Sequence, residues 1–289
     1  MKQGRLFSTE KPLATETPIA VDEIVCKTII SKSGLYGIDY SINPYISCQH
    51  DCVYCFARSM YERRGKSDSS REWGEFVTAK INAVPILQKQ LRRIKRGTIL
   101  VSSVTDPYQP VEQHFRLTRR LLSHLSGREF QITVLTKNAL ISRDIEIFQE
   151  NSHWKIGLTL TTADDDLRSL IEPQASSVEE RIGALRTLAT AGVTTFAFLG
   201  PMLPFVSEAA LSELLDSLAE VNVSYVMIDR LNLKRGSVQR LNPVLKKILP
   251  RRTEAFFDAC RQNSLYFAKL KERIRDECAH RDLQSHFCY

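Results

Sequence analysis

The sequence predicts an α/β protein, and three observations carry that reading. Short apolar runs rich in β-branched and aromatic residues recur along the chain, amphipathic helical patterns alternate with them, and beyond about residue 231 the alternation gives way to a basic, helical tail. Residues 1–20 are polar, contain Pro12 and Pro18 and lack periodicity, so they read as a loose N-terminal segment. A first strand over Tyr36–Ile42 leads into a group of cysteines. Ala83–Lys95 places Val84, Leu87, Leu91 and Ile94 on one helical face. The next strands are Thr98–Val104, Phe130–Thr136 and Lys155–Thr161, each about seven residues, as buried parallel strands tend to be. Glu179–Ala191 is helical, with Ile182, Leu185 and Leu188 on one face and Gly192 as a C-terminal cap. Val193–Leu199 and Ser224–Asp229 complete the strands, with a helix over Glu208–Glu220 between them. Leu231–Arg252 is basic and contains Pro243 and Pro250, and Thr253–Cys278 reads as one long helix with Thr253 as its N-cap.

Strands alternating with helices imply repeated right-handed βαβ units. An open doubly wound sheet and a complete or partial barrel both satisfy the pattern, and both put chemistry at the C-terminal ends of the strands. The chain divides into an N-terminal segment (1–30), the alternating body (31–230) and the C-terminal extension (231–289). A chain of 289 residues, 43% apolar and 25% charged, buries a large core. No apolar run approaches 18 residues, which argues against a membrane span, and no signal-like apolar region follows Met1, so a cytoplasmic protein is expected. Seven cysteines in such a compartment point to metal or thiol chemistry rather than to a disulfide framework.

The chemistry is concentrated in one segment, Asn43–Arg58, where Cys48, Cys52 and Cys55 fall within eight residues. A loop of this length can wrap one face of a [4Fe–4S] cluster and give three thiolates to three irons. The fourth iron then finds a ligand elsewhere or stays open, and an open metal position is the mark of a catalytic rather than a structural site. Rival readings are zinc completed by a Cys or His from elsewhere, with His50 poorly placed for the same ion, and a redox pair of Cys52 and Cys55 that would not need Cys48. A rival from a different class is a non-catalytic iron–sulfur or zinc protein that binds nucleic acid.

The Cys-x3-Cys-x2-Cys spacing after a first strand, with Tyr54 before the last cysteine and βα units following, resembles the radical SAM superfamily. Asn43-Pro-Tyr45, Thr105-Asp-Pro-Tyr-Gln-Pro110, Thr136-Lys137, Glu172-Pro173 and Arg181 resemble more narrowly its spore photoproduct lyase-like branch, over roughly residues 35–230. The resemblance implies a partial (β/α)6 TIM-like barrel with a mainly helical C-terminal extension. It implies a [4Fe–4S] cluster on Cys48, Cys52 and Cys55, with S-adenosylmethionine on the open iron. It also implies reductive cleavage to a 5′-deoxyadenosyl radical that abstracts hydrogen from a substrate, and a reductant such as flavodoxin or ferredoxin. Tyr54 is expected near the adenine, with loop packing as the plainer role. Ser103, Thr105 and Asp106 occupy the place where relatives bind the methionine amino group, although Asp106 would equally serve as a local turn acceptor. Lys137 can pair the cofactor carboxylate. Thr159 or Thr161 can reach the ribose, and Arg181 can pair with Glu172 or with the cofactor.

Two departures limit the resemblance. The lyase uses a cysteine near the end of the second strand as hydrogen donor, and Ser103 stands there. It carries a tyrosine directly after the last cluster cysteine, where this chain has Phe56. An O–H bond is much stronger than an S–H bond, so the resemblance extends to the scaffold and the radical-generating step, not to the lyase's own repair reaction.

Cys260, Cys278 and Cys288 are separated by 17 and 9 residues and match no compact ligand motif. The net charge of +7 permits an anionic partner such as a nucleic-acid substrate. Basic residues gather at Arg92, Arg93, Lys95 and Arg96, where they also suit a helix C-terminus, and again at Lys234, Arg235, Arg240, Lys246, Lys247, Arg251 and Arg252.

Overall fold

Apolar residues spaced for buried parallel strands need helices on the outer face, and the fold supplies them. The computed structural model describes residues 19–63, 71–233, 235–261 and 265–289. Its strands are β1 (Ala20–Ile24), β2 (Ile30–Lys32), β3 (Tyr40–Ile42), β4 (Tyr45–Ile46), β5 (Phe76–Lys80), β6 (Thr98–Val101), β7 (Gln131–Thr136), β8 (Lys155–Thr159), β9 (Thr195–Met202), β10 (Tyr225–Arg230) and β11 (Ser285–Phe287). Its helices are α1 (Phe56–Arg63), α2 (Ala83–Leu91), α3 (Glu112–Phe115), α4 (Leu117–Leu125), α5 (Ile145–Gln149), α6 (Asp165–Ile171), α7 (Val178–Thr190), α8 (Leu211–Glu220), α9 (Arg235–Ile248), α10 (Thr253–Ala259) and α11 (Tyr266–Ala279).

The main sheet runs β2-β3-β6-β7-β8-β9-β10-β11. From β3 to β10 each strand lies parallel beside the next one of the series, so the order never reverses as it does in a doubly wound sheet. The result is a partial (β/α)6 TIM-like barrel with a mainly helical C-terminal part. Antiparallel β2 ends one side of the sheet and parallel β11 the other. The inner layers are apolar: Ile42, Ile99, Val134, Leu158, Ala197 and Val226 are fully buried. One close approach requires glycine. Gly157 pairs in register with Phe196, and a Cβ there would lie 2.3 Å from the Phe196 ring, which itself stacks on Tyr225 at 5.2 Å.

Several boundaries differ from the sequence reading. The first strand shortens to Tyr40–Ile42 and the second ends at Val101, because Ser102 turns out of the ladder with φ +68. The α2 helix ends at Leu91, and α8 starts at Leu211 rather than at 208. Thr253–Cys278 is not one helix but two, α10 and α11. Phe256 belongs to a core shared with α9, whereas Phe267, Leu270, Ile274 and Cys278 belong to the barrel core, and one straight helix does not serve both. Thr253 is not a cap: its hydroxyl donates to the Leu249 carbonyl at 3.0 Å, and Arg252 occupies the N-cap position. Residues 1–18 lie outside the described residues, and Ala20–Ile24 pairs as a strand that the sequence reading does not expect. With β5 and β4 it forms a second, three-stranded sheet.

Candidate active site

The C-terminal ends of the barrel strands gather the candidate residues on one side of the sheet. β3 ends at Ile42, and Asn43 then accepts hydrogen bonds from the backbone N–H of Ser103 (3.0 Å) and Val104 (3.1 Å), while its amide donates to the Ser103 hydroxyl at 3.3 Å. One side chain thus ties the exit of the first barrel strand to that of the second.

The cysteine loop follows. Ser47 and Asp51 adopt positive φ (67 and 46), which bends the chain around the three thiols. The loop is held from three directions. Thr105 donates from Oγ1 to the Ser47 carbonyl at 2.5 Å, Gln109 accepts the Gln49 N–H at 2.8 Å, and Gln49 accepts the Val111 N–H at 2.6 Å. The Val53 N–H donates to Ile171 at the end of α6, 3.0 Å away. From the C-terminal extension, Arg240 binds both Asp51 oxygens at 2.8 and 2.6 Å, and the Ser237 hydroxyl donates to the Tyr54 carbonyl at 3.4 Å. The part that Gln49, Gln109 and Arg240 play in holding this loop escaped sequence reasoning, because nothing local marks a side chain whose partner lies 60 to 189 residues away.

Cys48, Cys52 and Cys55 are free thiols, two buried and the third half-buried at the head of α1. Burial pushes the Cys48 and Cys52 thiols up, and nearby acidic and thiol groups (Asp106 and the other two cysteines for Cys48, Glu172 and Cys55 for Cys52) add to it. Thiolates here therefore require positive charge, which bound metal supplies. Among the described residues no three His, Cys, Asp or Glu converge as ligands of a single ion. A cluster asks for less, since each thiolate meets its own iron. The donor set fits an iron–sulfur cluster.

Beneath the loop lies a network of buried charge. Glu172 and Arg181 are fully buried and paired at 2.7 Å. Arg181 also donates to the Ser176 and Thr159 carbonyls, both at 2.8 Å. Glu172 also accepts from Thr161 (2.8 Å) and from the Tyr54 hydroxyl. Burial opposes ionisation of Glu172, but Arg181, Lys137 and the two hydroxyls outweigh it and hold its carboxyl at about 2. Arg181 reaches inward because α7 starts on this side, fixed by a capping box between Ser177 and Glu180. The α6 helix, which carries the chain to Glu172, starts at an Asp164 cap that the sequence reading missed.

Asp106 is likewise committed. It accepts from the Tyr108 N–H (2.9 Å), the Lys137 N–H (2.9 Å) and the Thr136 hydroxyl (2.5 Å), and His50 Nδ1 lies 3.3 Å away. Burial works against its charge, yet His50, Thr136 and Lys137 hold it at about 2. Lys137 differs. Burial would lower it, but Cys52, Glu172 and Asp106 keep it raised and charged, and its ammonium sits 5.8 Å from the Tyr54 ring centroid with no ion pair within 4.0 Å among the described residues. The structure thus gathers Tyr54, Thr105, Asp106, Lys137, Thr159, Thr161 and Arg181 around the cysteine loop, with Ser103 at its edge.

Residues 42–228 match the family model described as the radical SAM superfamily. The chain belongs to the radical SAM superfamily. It is accordingly a radical SAM enzyme, and membership carries with it S-adenosylmethionine, an iron–sulfur cluster and a need for a reductant. Protein MJ0683 of Methanocaldococcus jannaschii is 37% identical over 186 residues, 64% of this chain and 69% of that one. A radical SAM Nα-GlyT isomerase of Pseudomonas phage M6 is 22% identical over 222 residues, 75% of this chain and 44% of that one. A spore photoproduct lyase structure with bound AdoMet and dinucleoside spore photoproduct superposes with a TM-score of 0.68 at 15% identity, covering 93% of this chain and 82% of the other. That likeness shows the shared fold of this radical SAM enzyme.

The remaining cysteines do not join the site. Cys26 and Cys278 are buried in the barrel core, Cys260 is half-buried at the end of α10, and Cys288 is exposed after β11. No helix among the described residues is long and apolar enough to cross a membrane. Arg92, Arg93, Lys95 and Arg96 precede the N-terminal end of β6 and so face away from the site. Lys234 lies outside the described residues.

Proposed function

We propose that this enzyme holds a [4Fe–4S] cluster on Cys48, Cys52 and Cys55, binds S-adenosylmethionine beside it, and abstracts a hydrogen atom from a nucleic-acid substrate. The observation that carries the reading is the loop itself: three free thiols, clamped from three sides, at the C-terminal ends of the barrel strands. Held on Cys48, Cys52 and Cys55, the cluster would pass an electron from a one-electron donor such as flavodoxin or ferredoxin to bound S-adenosylmethionine, and so would supply the reductive cleavage to methionine and a 5′-deoxyadenosyl radical.

The chain's own groups then bind and position. Lys137 keeps its charge and has no ion pair among the described residues, so it takes the cofactor carboxylate. The ring of Tyr54 lies between Lys137 and the Glu172 network and supports the adenine. Thr161 fixes that tyrosine through a 3.2 Å contact between hydroxyls. Arg181, Glu172 and Asp106 have spent their hydrogen bonds within the protein, so they act as positioning residues and not as cofactor ligands. Thr159 presents its carbonyl to Arg181 in the same role. Thr105 holds the Ser47 carbonyl, and Ser103 is left at the rim with Asn43 as its partner.

Support for nucleic acid is twofold. The fold is that of a lyase bound to a dinucleoside photoproduct, and the C-terminal extension carries exposed Lys246, Lys247, Arg251 and Arg252. Arg240 of the same helix clasps the cluster loop, so Lys246 follows about 9 Å further along α9 at 1.5 Å per residue. Exposed positive charge in the extension that holds the cluster loop supports a phosphate backbone as ligand.

Anaerobic reconstitution followed by dithionite and S-adenosylmethionine tests the reading. Methionine and 5′-deoxyadenosine are expected, and they disappear when any of Cys48, Cys52 or Cys55 is replaced by alanine. A fully loaded cluster that releases neither product sinks the proposal. Transfer of deuterium from labelled oligonucleotides into 5′-deoxyadenosine identifies the substrate class, and transfer from peptides alone excludes nucleic acid.

A further inference from the structure

We infer that the indole N–H of Trp73 donates a hydrogen bond to a sulfur of the cluster and so sets the potential at which the cluster is reduced. The inference rests on the assignment of that cluster to Cys48, Cys52 and Cys55.

Trp73 is 6% exposed, and its Nε1 is fully buried with no hydrogen-bond partner among the described residues. The indole N–H donates and never accepts, and a buried one normally finds a partner. The surroundings of Trp73 name the missing acceptor. It packs in one cluster with Cys48 and Ala57, and Cys55, Tyr61 and Val104 close that cluster at its edge. Two of its neighbours are therefore thiols proposed to hold iron.

The ring is fixed where it lies. Tyr61 meets it at 5.8 Å between centroids and 58°, and Phe76 backs Tyr61 at 5.8 Å. The backbone turn that carries it is pressed onto the cysteine loop. Gly74 has φ +96 and donates its N–H to the Ser47 hydroxyl at 3.3 Å, and a Cβ on Gly74 would meet the Asp51 carboxyl carbon at 2.5 Å. Only glycine lets the turn come this close. The turn and the loop thus move as one unit, with the indole between them.

Reduction adds an electron that the cluster sulfurs partly carry. A donor dipole aimed at a sulfur stabilises that added charge, so the reduced state gains and the potential rises. Trp154 provides an internal contrast. Its Nε1 is also buried and without a partner among the described residues, but it stands just before β8, at the opposite end of the barrel from the thiols. These are the two tryptophans of the chain.

The test uses the full chain with nitrogen-15 in its indoles, reconstituted anaerobically, reduced and measured by pulsed electron paramagnetic resonance. A nitrogen-15 coupling to the reduced cluster is expected, retained in Trp154→Phe and absent in Trp73→Phe. The midpoint potential of Trp73→Phe is expected to fall by up to a tenfold change in the reduction equilibrium, which is about 59 mV for a one-electron couple. A loaded wild-type cluster without nitrogen-15 coupling overturns the inference even if Trp73→Phe fails to fold. An unchanged potential in a loaded Trp73→Phe variant does the same. A wild-type chain that assembles no cluster overturns the cluster assignment, and this inference falls with it.

Discussion

Replacing Arg181 with methionine removes the guanidinium that neutralises Glu172 while keeping much of its length. Both partners are fully buried and lie 2.7 Å apart. The carboxyl of Glu172 is held at about 2 against an ordinary 4.5, a difference worth about 3 kcal/mol at 1.36 kcal/mol per tenfold change in acidity. Stranding one member of a buried ion pair costs about 3 to 5 kcal/mol, so Arg181→Met is expected to lose that much at about pH 7. The sign with pH follows from the direction of the shift. In the wild type the stability from Glu172 is fully present above its unfolded value and is lost as pH falls through about 2. In the variant, burial is opposed by less charge, so the Glu172 carboxyl rises and takes up a proton in mild acid. The gap between wild type and variant therefore narrows towards about pH 4. Urea unfolding of both chains without cofactor at the two pH values measures it. A gap under about 1 kcal/mol at neutral pH refutes the reasoning, as does a gap that stays constant with pH. Adding Glu172→Gln to Arg181→Met should restore most of the loss, because the buried carboxylate that lost its guanidinium is then gone.

Lys137→Gln should keep the cluster and weaken S-adenosylmethionine binding about 10- to 100-fold, the worth of one hydrogen bond to a charged group. Equilibrium binding to the loaded enzyme checks this, and an unchanged affinity removes Lys137 from the cofactor site. Arg240→Met should leave the barrel folded by circular dichroism but lower the iron retained per chain, since Asp51 would lose both side-chain hydrogen bonds to Arg240, the ion pair that ties the cysteine loop to α9. Equal iron content in variant and wild type would show that the clamp is dispensable. Gly157→Ala should cost about 1 to 3 kcal/mol in urea, the usual cost of overpacking, because its Cβ meets the Phe196 ring. A variant as stable as the wild type would mean that the ring has room to move.

Much of the barrel was legible because it is written locally. The runs Thr98–Val101, Gln131–Thr136, Lys155–Thr159 and Tyr225–Arg230 are apolar enough to be buried whatever surrounds them, and the helices between them have one apolar face each. The small sheet of β1, β5 and β4 was not legible. Two of its strands are five residues long and the third only two, and what makes them strands is that 56 residues separate partners such as Ala20 and Phe76 in the chain but not in space. The break between α10 and α11 was missed for a related reason. Their apolar residues look continuous in sequence, and only the positions of two separate cores show that they face different ways.

The site divides along the same line. Three cysteines at spacings of four and three residues are bound to lie within one short loop, because the peptide chain between them is too short to do otherwise. By itself, then, the sequence determined that three thiols would lie together in one loop and which family chemistry to expect. It could not decide what the charged residues do. Arg181, Asp106, Lys137 and Arg240 all looked able to meet a ligand. In the folded chain Arg181 is consumed by Glu172, Asp106 by three donors and Arg240 by Asp51, while Lys137 keeps its charge with no ion pair among the described residues. The same guanidinium or ammonium would be a solvated surface group beside a different neighbour. Which neighbour it has depends on the packing of elements far apart in the chain, and only the tertiary structure fixes that.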